Sequence, residues 1–236
     1  MSDWFREMTR GSRLPPEAAI RLRDVGLCVV PGPVPTGGLD AIAATYDQAM
    51  TDADPADTGV GRTTIRVSDF VNRGADFDPL YIHGPLLDAC YQTVGQPFKL
   101  SSMAGRTLLP GKPAQELHVD YPRDAQGRTM VGFIFMIDEF RMDNGATCFV
   151  PGSHQQTSIG ETSVELVPAS GQAGFMIIYN GSVWHGHGAN ATGKPRRSVQ
   201  GAFIQRDATP ALNFASRMKP ETLRRIGSLA KYLLAL

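Results

Sequence analysis

Between residues 98 and 206 the sequence is a succession of short strand-like runs separated by glycine, proline, asparagine and aspartate. The runs are FKLSSMAGRTLLP, QELHVDY, TMVGFIFMID, ATCFVPGSH, SVELVPA, GFMIIYNGSVWHGHGAN and RRSVQGAFIQR. Strands repeated every 8–12 residues or so, with turn residues between them, are typical of a sandwich, jelly roll or barrel. The sequence therefore predicts a mainly β fold with flanking α-helices, built on a double-stranded β-helix core, the cupin-like jelly roll.

The first 97 residues are predicted to be mostly helical. Three segments repeat apolar residues at helical spacing, and the first of them has proline near its start and glycine after its end. A fourth segment, LCVV between two glycines, predicts a short strand. The predicted helices are 14–26, 35–53 and 84–95, and the predicted strand is 26–32.

Residues 54–79 are rich in Asp, Gly and Arg and lack clear periodicity. They predict a long loop with one brief strand, TTIRVSDF, at residues 63–70. Loops of this length are usually functional or mobile, and a lid that closes on a substrate is one interpretation of this segment. Arg62, Arg66 and Arg73 are its candidate contacts for an anionic group, with ordinary solvated side chains as the alternative.

The tail, residues 207–236, is predicted to be helical, with Pro220 near the start of its last helix. A chain of 236 residues, 42% of them hydrophobic, suits one domain around one core. We therefore expect a single domain over residues 1–236, with the jelly roll at 98–206. The apolar end of the tail is expected to pack either on this core or on a second subunit.

Charge and cysteine usage exclude several classes of protein. Lys and Arg total 23, as do Asp and Glu, so no basic field is available for nucleic acid or an anionic membrane. The three cysteines are far apart and form no C-x-x-C motif, which argues against a disulfide framework or a zinc knot. No signal peptide or membrane span is evident. We expect a cytoplasmic protein, a monomer or homodimer, that acts on a small molecule.

A metal site is suggested by His118 and Asp120, which are separated by one residue. In a strand, residues i and i+2 point to the same face about 6.6 Å apart, so both side chains can reach one ion. His185, in WHGHG directly after the apolar run GFMIIY, is the best third ligand. Two histidines and one carboxylate form the facial triad of non-haem Fe(II) oxygenases, which leaves three coordination positions open.

An arginine strengthens this interpretation, because H-x-D alone is a weak motif. Arg196 lies eleven residues after His185, in GKPRRSV. A guanidinium group pairs bidentately with a carboxylate, which a dicarboxylate cosubstrate presents at its far end. The alternative interpretation is that Arg196 and Arg197 lie in a solvent-exposed turn and bind no cosubstrate.

Three motifs, LHVDYPR, DNGATCFVPGSH and WHGHGANATGKPRRSV, occur in this order between residues 115 and about 200. Together they resemble the phytanoyl-CoA dioxygenase family of Fe(II)/2-oxoglutarate-dependent oxygenases. The resemblance implies iron ligation by His118, Asp120 and His185. It also implies that Arg196 binds the distal carboxylate of 2-oxoglutarate, and that O2 is the oxidant. Thr147 is a further candidate contact for the cosubstrate.

Two departures from the family pattern bear on the chemistry. The family commonly has serine two residues after the distal histidine, where this chain has His187. His187 can line the site, hydrogen-bond the cosubstrate, or compete with His185 as a ligand, and the motif match favours His185. Some relatives replace the aspartate and bind halide, so the presence of Asp120 favours hydroxylation. His154, in PGSH, is expected to be structural.

The resemblance implies an enzyme that hydroxylates or otherwise oxidises a C–H bond of a small molecule, a natural product or biosynthetic intermediate, and releases succinate and CO2. Candidate substrate residues are those near the metal motif: Arg106, Gln115, Tyr121 and Arg123. Two alternatives stay open. One is a cupin-type metal-dependent isomerase, which has no need of Arg196, and the other is a non-catalytic module that binds a small molecule.

Overall fold

The β core consists of two antiparallel sheets in a computed structural model that describes residues 12–95, 97–123, 129–156 and 165–236. The strands are β1 Leu27–Pro31, β2 Thr58–Val60, β3 Thr64–Ser68, β4 Phe98–Leu108, β5 Val131–Met136, β6 Thr147–Phe149, β7 Val167–Pro168, β8 Phe175–Asn180, β9 His185–His187 and β10 Arg196–Gln205. The larger sheet has the order β1-β8-β5-β10-β4-β3-β2, and the smaller one β7-β6-β9. The predicted mainly β, jelly-roll class of fold is confirmed.

The helices flank this core at both ends of the chain. They are α1 Pro16–Val25, α2 Leu39–Thr51, α3 Asp78–Tyr81, α4 Gly84–Thr93, α5 Phe214–Arg217, α6 Pro220–Arg225 and α7 Ser228–Leu233. Single 3-10 turns lie at Thr36–Gly38, Pro55–Asp57, Phe70–Asn72, Ala75–Phe77 and Ser153–Gln155. In the described part of the chain, none of the helices combines the length and apolar character needed to cross a membrane.

The larger sheet separates two kinds of packing, because successive side chains of a strand point to opposite faces. On the outer face, Phe133 of β5 and Phe203 of β10 pack with the buried residues of the helices. On the inner face, Ile134 of β5 and Ile177 of β8 join Phe149 of the smaller sheet in a second apolar cluster. The space between the sheets is therefore apolar on one side, which leaves the other side for polar side chains.

The start of the chain shows how local sequence sets this arrangement. Pro16 occupies the first turn of α1, where its missing N–H costs no hydrogen bond. The helix ends at Gly26, which adopts φ +92° in the left-handed region and caps two carbonyls of α1. A Cβ atom at Gly26 would also lie 2.7 Å from the His154 ring. This glycine thus turns the chain into β1 and makes room for His154.

Residues 54–79 hold more regular structure than the long loop with one brief strand that the sequence predicts. The expected brief strand is present as β3, but β2 pairs with it, and β3 also pairs with β4 at the edge of the larger sheet. Val67, Phe70 and Phe77 are fully buried. The burial of these three residues could not be predicted from the sequence, because polar residues separate them and they form no periodic run.

Ion pairs fasten the same segment to the tail. Asp57 accepts from Arg73 at 2.7 Å and from Arg217 of α5 at 2.5 Å. Arg217 also pairs with Asp69 at 3.1 Å, so one guanidinium bridges two parts of the segment. Arg73, expected to be a possible substrate contact, is instead a buried structural partner. Arg62 is exposed to solvent.

Other sequence predictions need smaller corrections. Residues 115–121 form no strand, only a single antiparallel bridge between His118 and His185. The tail holds three short helices, and Pro220 begins the second rather than the last. Leu233 of α7 is buried in the main core, so the end of the tail packs on this chain. The first part of the predicted strand at 163–169 lies outside the described residues.

Replacing Phe70 by alanine tests whether residues 54–79 belong to the core. Its ring packs 4.8 Å from that of Phe77 and 5.5 Å from that of Tyr46, measured between centroids. The free energy of unfolding should fall by about 3–5 kcal/mol in urea titrations, as for other buried phenylalanines. Val60→Ala, at a side chain 76% exposed on β2, should change it by less than about 0.5 kcal/mol. Equal stability of both variants would contradict this packing.

Candidate functional site

His118, Asp120 and His185 meet between the sheets, with one ligand-capable atom of each within 4.8 Å of the others. The His118 Nε2 atom lies 3.7 Å from Oδ1 of Asp120, and His185 Nε2 lies 3.5 Å from Oδ2. The two imidazole centroids are 4.5 Å apart. Two nitrogens and a carboxylate converging in this way form a site for one metal ion.

Backbone pairing brings these ligands together from distant parts of the chain. The His118 N–H donates to the carbonyl of His185 at 3.0 Å, and the His185 N–H donates to that of His118 at 2.9 Å. The Asp120 N–H donates to the carbonyl of Gly181, just before β9, at 3.0 Å. A Cβ atom at Gly186 would lie 3.0 Å from the carbonyl oxygen of Gln115. Glycine at this position is therefore what lets the H-x-D segment lie against β9.

Each histidine ligand is held in one tautomer by a backbone carbonyl. His118 Nδ1 lies 3.2 Å from the Glu116 oxygen, and His185 Nδ1 lies 2.9 Å from the Val183 oxygen. A carbonyl can only accept, so Nδ1 carries the proton in both rings. Both Nε2 lone pairs therefore face the position of the metal, as expected for metal-bound histidines.

Tyr179 of β8 fixes the carboxylate. Its hydroxyl donates to Asp120 Oδ2 at 2.5 Å, and its own burial raises the pKa of the phenol, which therefore stays protonated. The neighbouring position on β5 is Gly132, where a Cβ atom would lie 2.2 Å from the Tyr179 ring. Gly132 thus leaves the space in which Tyr179 reaches Asp120.

Exposure differs across the three ligands. The His185 side chain is 7% exposed, against 35% for His118 and 32% for Asp120. Burial lowers the pKa of His185, and the Asp120 charge opposes this shift only in part. His185 is therefore neutral at neutral pH, as a metal ligand must be. The site is closed behind His185 and open beside Asp120.

Arg196 at the start of β10 is the buried cation of this site. It is 3% exposed, and its Nε and Nη1 atoms have no hydrogen-bond partner in the described part of the chain. The guanidinium carbon lies 3.8 Å from the centroid of the Phe140 ring, a cation–π contact. Burial lowers the pKa of Arg196 to about 9, so it remains a cation at neutral pH. An unpaired buried cation is costly unless an anion completes it.

One cavity, called here the inner cavity, joins Arg196 to the triad. It brings together eight of the residues singled out in the sequence, with Ile134, Tyr179 and Gln200 in addition. The eight are Arg106, Gln115, His118, Asp120, Thr147, His185, His187 and Arg196.

His187 follows His185 on the same face of β9 but stands outside the group of ligand atoms. Its Nδ1 donates to the Gly188 carbonyl at 2.8 Å, so its Nε2 accepts from the Thr63 hydroxyl at 3.0 Å. Both ring nitrogens are thereby occupied. Of the three roles left open by the sequence, this geometry favours lining the site, beside its cross-strand partner Thr147.

A second space, the outer cavity, of about 520 Å³, adjoins the inner one on the open side of Asp120. Tyr121 lines it, as do Arg66 and Arg106. Arg123 does not: it lines a separate cavity with His154. His154 itself is buried and bonds the Arg23 carbonyl at 3.0 Å, a structural role.

Three residues of the site were missed from the sequence. Tyr179 ends the most apolar run of the chain, where its ring predicts only a core position. Gly132 and Gln200 likewise sit within ordinary strand patterns. A hydroxyl at the end of an otherwise apolar strand was the one available signal, since a buried Tyr O–H needs a partner.

The phytanoyl-CoA dioxygenase (PhyH) family model matches residues 22–198, about three quarters of the chain. The chain belongs to this family. The match includes the three metal-site residues and Arg196. It therefore supports the family resemblance inferred from the three sequence motifs.

Two curated proteins named as dioxygenases are similar to this chain over much of its length. Dioxygenase sphC of Aspergillus fumigatus is 29% identical over 190 residues, which is 72% of this chain and 51% of that protein. Dioxygenase trt7 of Aspergillus terreus is 28% identical over 220 residues, 83% of this chain and 75% of that protein. The chain thus spans about half the length of sphC, the first of these relatives.

Solved structures share the fold. The epimerase SnoN, in complex with Fe3+, α-ketoglutarate and nogalamycin RO, matches with a TM-score of 0.68 at 19% identity, over 86% of this chain and 89% of SnoN. HygX of Streptomyces hygroscopicus, with nickel and 2-oxoglutarate bound, matches with a TM-score of 0.69 at 19% identity, over 84% and 89%. At such identities, these matches establish the architecture alone.

Replacing Tyr179 by phenylalanine removes one hydrogen bond and little volume. We expect the affinity for Ni(II), measured by calorimetry, to fall about 10-fold to 100-fold, as when other partners of metal ligands are removed. Tyr121→Phe is the matched control, because the Tyr121 side chain lines the outer cavity and does not hold Asp120. Unchanged Ni(II) affinity in Tyr179→Phe would show that Asp120 needs no such support.

Proposed function

We propose that the chain is a non-haem Fe(II)/2-oxoglutarate-dependent dioxygenase that hydroxylates or otherwise oxidises a C–H bond of a small molecule. The observation that carries this proposal is the pairing of two features in one cavity. One is the triad of His118, Asp120 and His185, and the other is the unpaired, buried guanidinium of Arg196.

The family relatives support the same proposal. Dioxygenases sphC and trt7 are named for this class of reaction, and SnoN and HygX hold a metal with α-ketoglutarate or 2-oxoglutarate. A natural product or biosynthetic intermediate is the proposed kind of substrate. The cytoplasmic location and the monomeric or homodimeric state remain predictions from the sequence.

The donor set fits iron. Two neutral imidazole Nε2 atoms and one carboxylate oxygen are the ligands of the facial triad, and they leave positions for a bidentate cosubstrate and for oxygen. Bound iron would supply, with 2-oxoglutarate and O2, the oxidation of a C–H bond and the release of succinate and CO2. The protein supplies the placement of these groups.

The environment of Arg196 fits the distal carboxylate of 2-oxoglutarate. Its Nε and Nη1 atoms have no partner in the described part of the chain, so both keep a donor for a carboxylate, and the Phe140 ring packs against the guanidinium. Thr147, also buried on the wall of the inner cavity, can add its hydroxyl as a further donor. Gln115 lines the same cavity beside His118 and is a candidate for the other end of the cosubstrate.

The remaining groups orient the reaction and exclude water. Phe149 stacks on the His185 ring at 5.3 Å between centroids and closes the rear of the site. Tyr179 holds the carboxylate of Asp120. The substrate is expected to enter from the outer cavity, since that is the side on which Asp120 is exposed.

Two alternatives are tested by one measurement. A cupin-type isomerase or a non-catalytic binding module could keep the metal site, yet neither needs Arg196 as an unpaired cation. Addition of 2-oxoglutarate to the anaerobic Fe(II) protein should produce a visible absorption band if both bind together. Absence of the band, with iron bound, would favour an alternative.

Replacing Asp120 by alanine should abolish the proposed activity. Succinate release in the presence of Fe(II), 2-oxoglutarate and O2 should fall about 100-fold or more, because one of three metal ligands is lost. Asp143→Ala, at a carboxylate 59% exposed on the surface, is the control and should retain activity. Full succinate release from Asp120→Ala would rule out the proposed centre.

The neighbouring arginines of β10 provide a matched test of cosubstrate binding. Arg196 points into the inner cavity, whereas Arg197 points outward and pairs with Asp138 and Asp47, each at 2.7 Å. Arg196→Gln should weaken 2-oxoglutarate binding to the Ni(II)-loaded protein about 10-fold to 100-fold, the effect of losing a charged hydrogen-bond partner. Arg197→Gln should leave this affinity unchanged while lowering stability. Equal affinities of both variants would contradict the assigned role of Arg196.

A further inference from the structure

The outer cavity has the size and walls of a small-molecule site. Its volume of about 520 Å³ falls within the usual range of roughly 300–1,000 Å³ for ligand pockets. One wall is apolar, with Met130, Ala202 and Ile204 in a cluster of their own. Hydroxyl groups and the segment after β10 complete the lining, which includes Ser101, Ser102, Thr209, Pro210, Ala211 and Leu212.

Two arginines in this cavity lie directly opposite each other. Arg66 of β3 and Arg106 of β4 are cross-strand partners, so their side chains point to the same face. Like charges in this position are destabilising. Arg106 is half-buried, and its one hydrogen bond goes to Gln200 Oε1 at 3.5 Å. In the described part of the chain, neither guanidinium forms an ion pair.

The acidic group nearest to these arginines is already engaged. Among the described residues, Asp120 is the one carboxylate that lines the outer cavity, and it accepts the Tyr179 hydroxyl and belongs to the triad. A divalent metal, Asp120, Arg196 and dianionic 2-oxoglutarate would balance one another in charge. The charges of Arg66, which is exposed at the cavity mouth, and of the half-buried Arg106 would remain without a carboxylate partner in the described part of the chain.

We propose that the substrate carries a carboxylate group, which Arg66 and Arg106 bind together at the wall of the outer cavity. This inference rests on the proposed function of the site. A guanidinium pair binds a carboxylate through charge-assisted hydrogen bonds, and the anion relieves the repulsion between the two cations. The apolar cluster in the same cavity takes the body of the substrate, which places it beside Asp120.

The arginine pair could instead bind a carboxylate of 2-oxoglutarate, the one that is not assigned to Arg196. Arg106 lines both cavities, but Arg66 lines the outer cavity and not the inner one. The pair is therefore assigned to the substrate. If the pair binds the substrate, the affinity for 2-oxoglutarate does not depend on Arg66. If the pair binds 2-oxoglutarate, that affinity falls when Arg66 is replaced.

The experiment compares two ligands that differ in charge and hardly in shape, 4-phenylbutyrate and 4-phenylbutyramide. Their binding to the Zn(II)-loaded protein saturated with 2-oxoglutarate is followed by ligand-observed NMR titration. The acid should bind at least about tenfold more tightly than the amide. Arg66→Gln and Arg106→Gln should remove this preference, and Arg66→Lys should restore most of it. Arg62→Gln, at an exposed arginine outside both cavities, should keep it.

The affinity of each variant for 2-oxoglutarate is measured in parallel. Arg66→Gln should change it less than about twofold, in contrast to Arg196→Gln. Equal binding of acid and amide, or binding of neither, would overturn the substrate assignment. So would a loss of 2-oxoglutarate affinity in Arg66→Gln as large as that in Arg196→Gln. Failure of the wild-type protein to bind 2-oxoglutarate would count instead against the proposed function.

Discussion

The reciprocal pair of backbone hydrogen bonds between His118 and His185 is the constraint on which the site depends. It joins an irregular segment before β5 to the short strand β9, and it sets the two imidazoles 4.5 Å apart. The pairing needs a close approach of two backbones, which Gly186 permits because it has no Cβ. The position of the metal site is thus fixed by the backbone pairing of the H-x-D segment with β9, and this pairing places the side chains of the ligands.

The second constraint is that the two faces of the larger sheet carry different kinds of side chain. The outer face packs on the helices and forms most of the apolar core. The inner face can therefore carry Arg106, Gln200 and Arg196, residues that would be costly in a fully apolar interior. Stability comes from one side of β10 and β4, and the polar chemistry is built on the other.

Much of this arrangement could be predicted from the sequence. The spacing of the strand-like runs predicted the jelly roll, and the motifs predicted the three residues whose ligand-capable atoms lie within 4.8 Å of one another. The edge hairpin at 54–79 was not predicted because β2 has only three residues, too few to show a strand pattern, and the buried residues of the segment form no periodic run. Arg123 was misplaced for a different reason: nearness in sequence to Asp120 does not determine which cavity a side chain faces.

Contacts across strands were the part that no linear pattern could supply. Tyr179 reaches Asp120 because Gly132 lies opposite it on β5, a relation that depends on register alone. Arg66 and Arg106 are forty residues apart in the chain and become partners through the same kind of register. A chain with no net charge can thus concentrate cations at one place. The formal charge balance of the whole sequence gave no sign of this group of arginines beside the metal site.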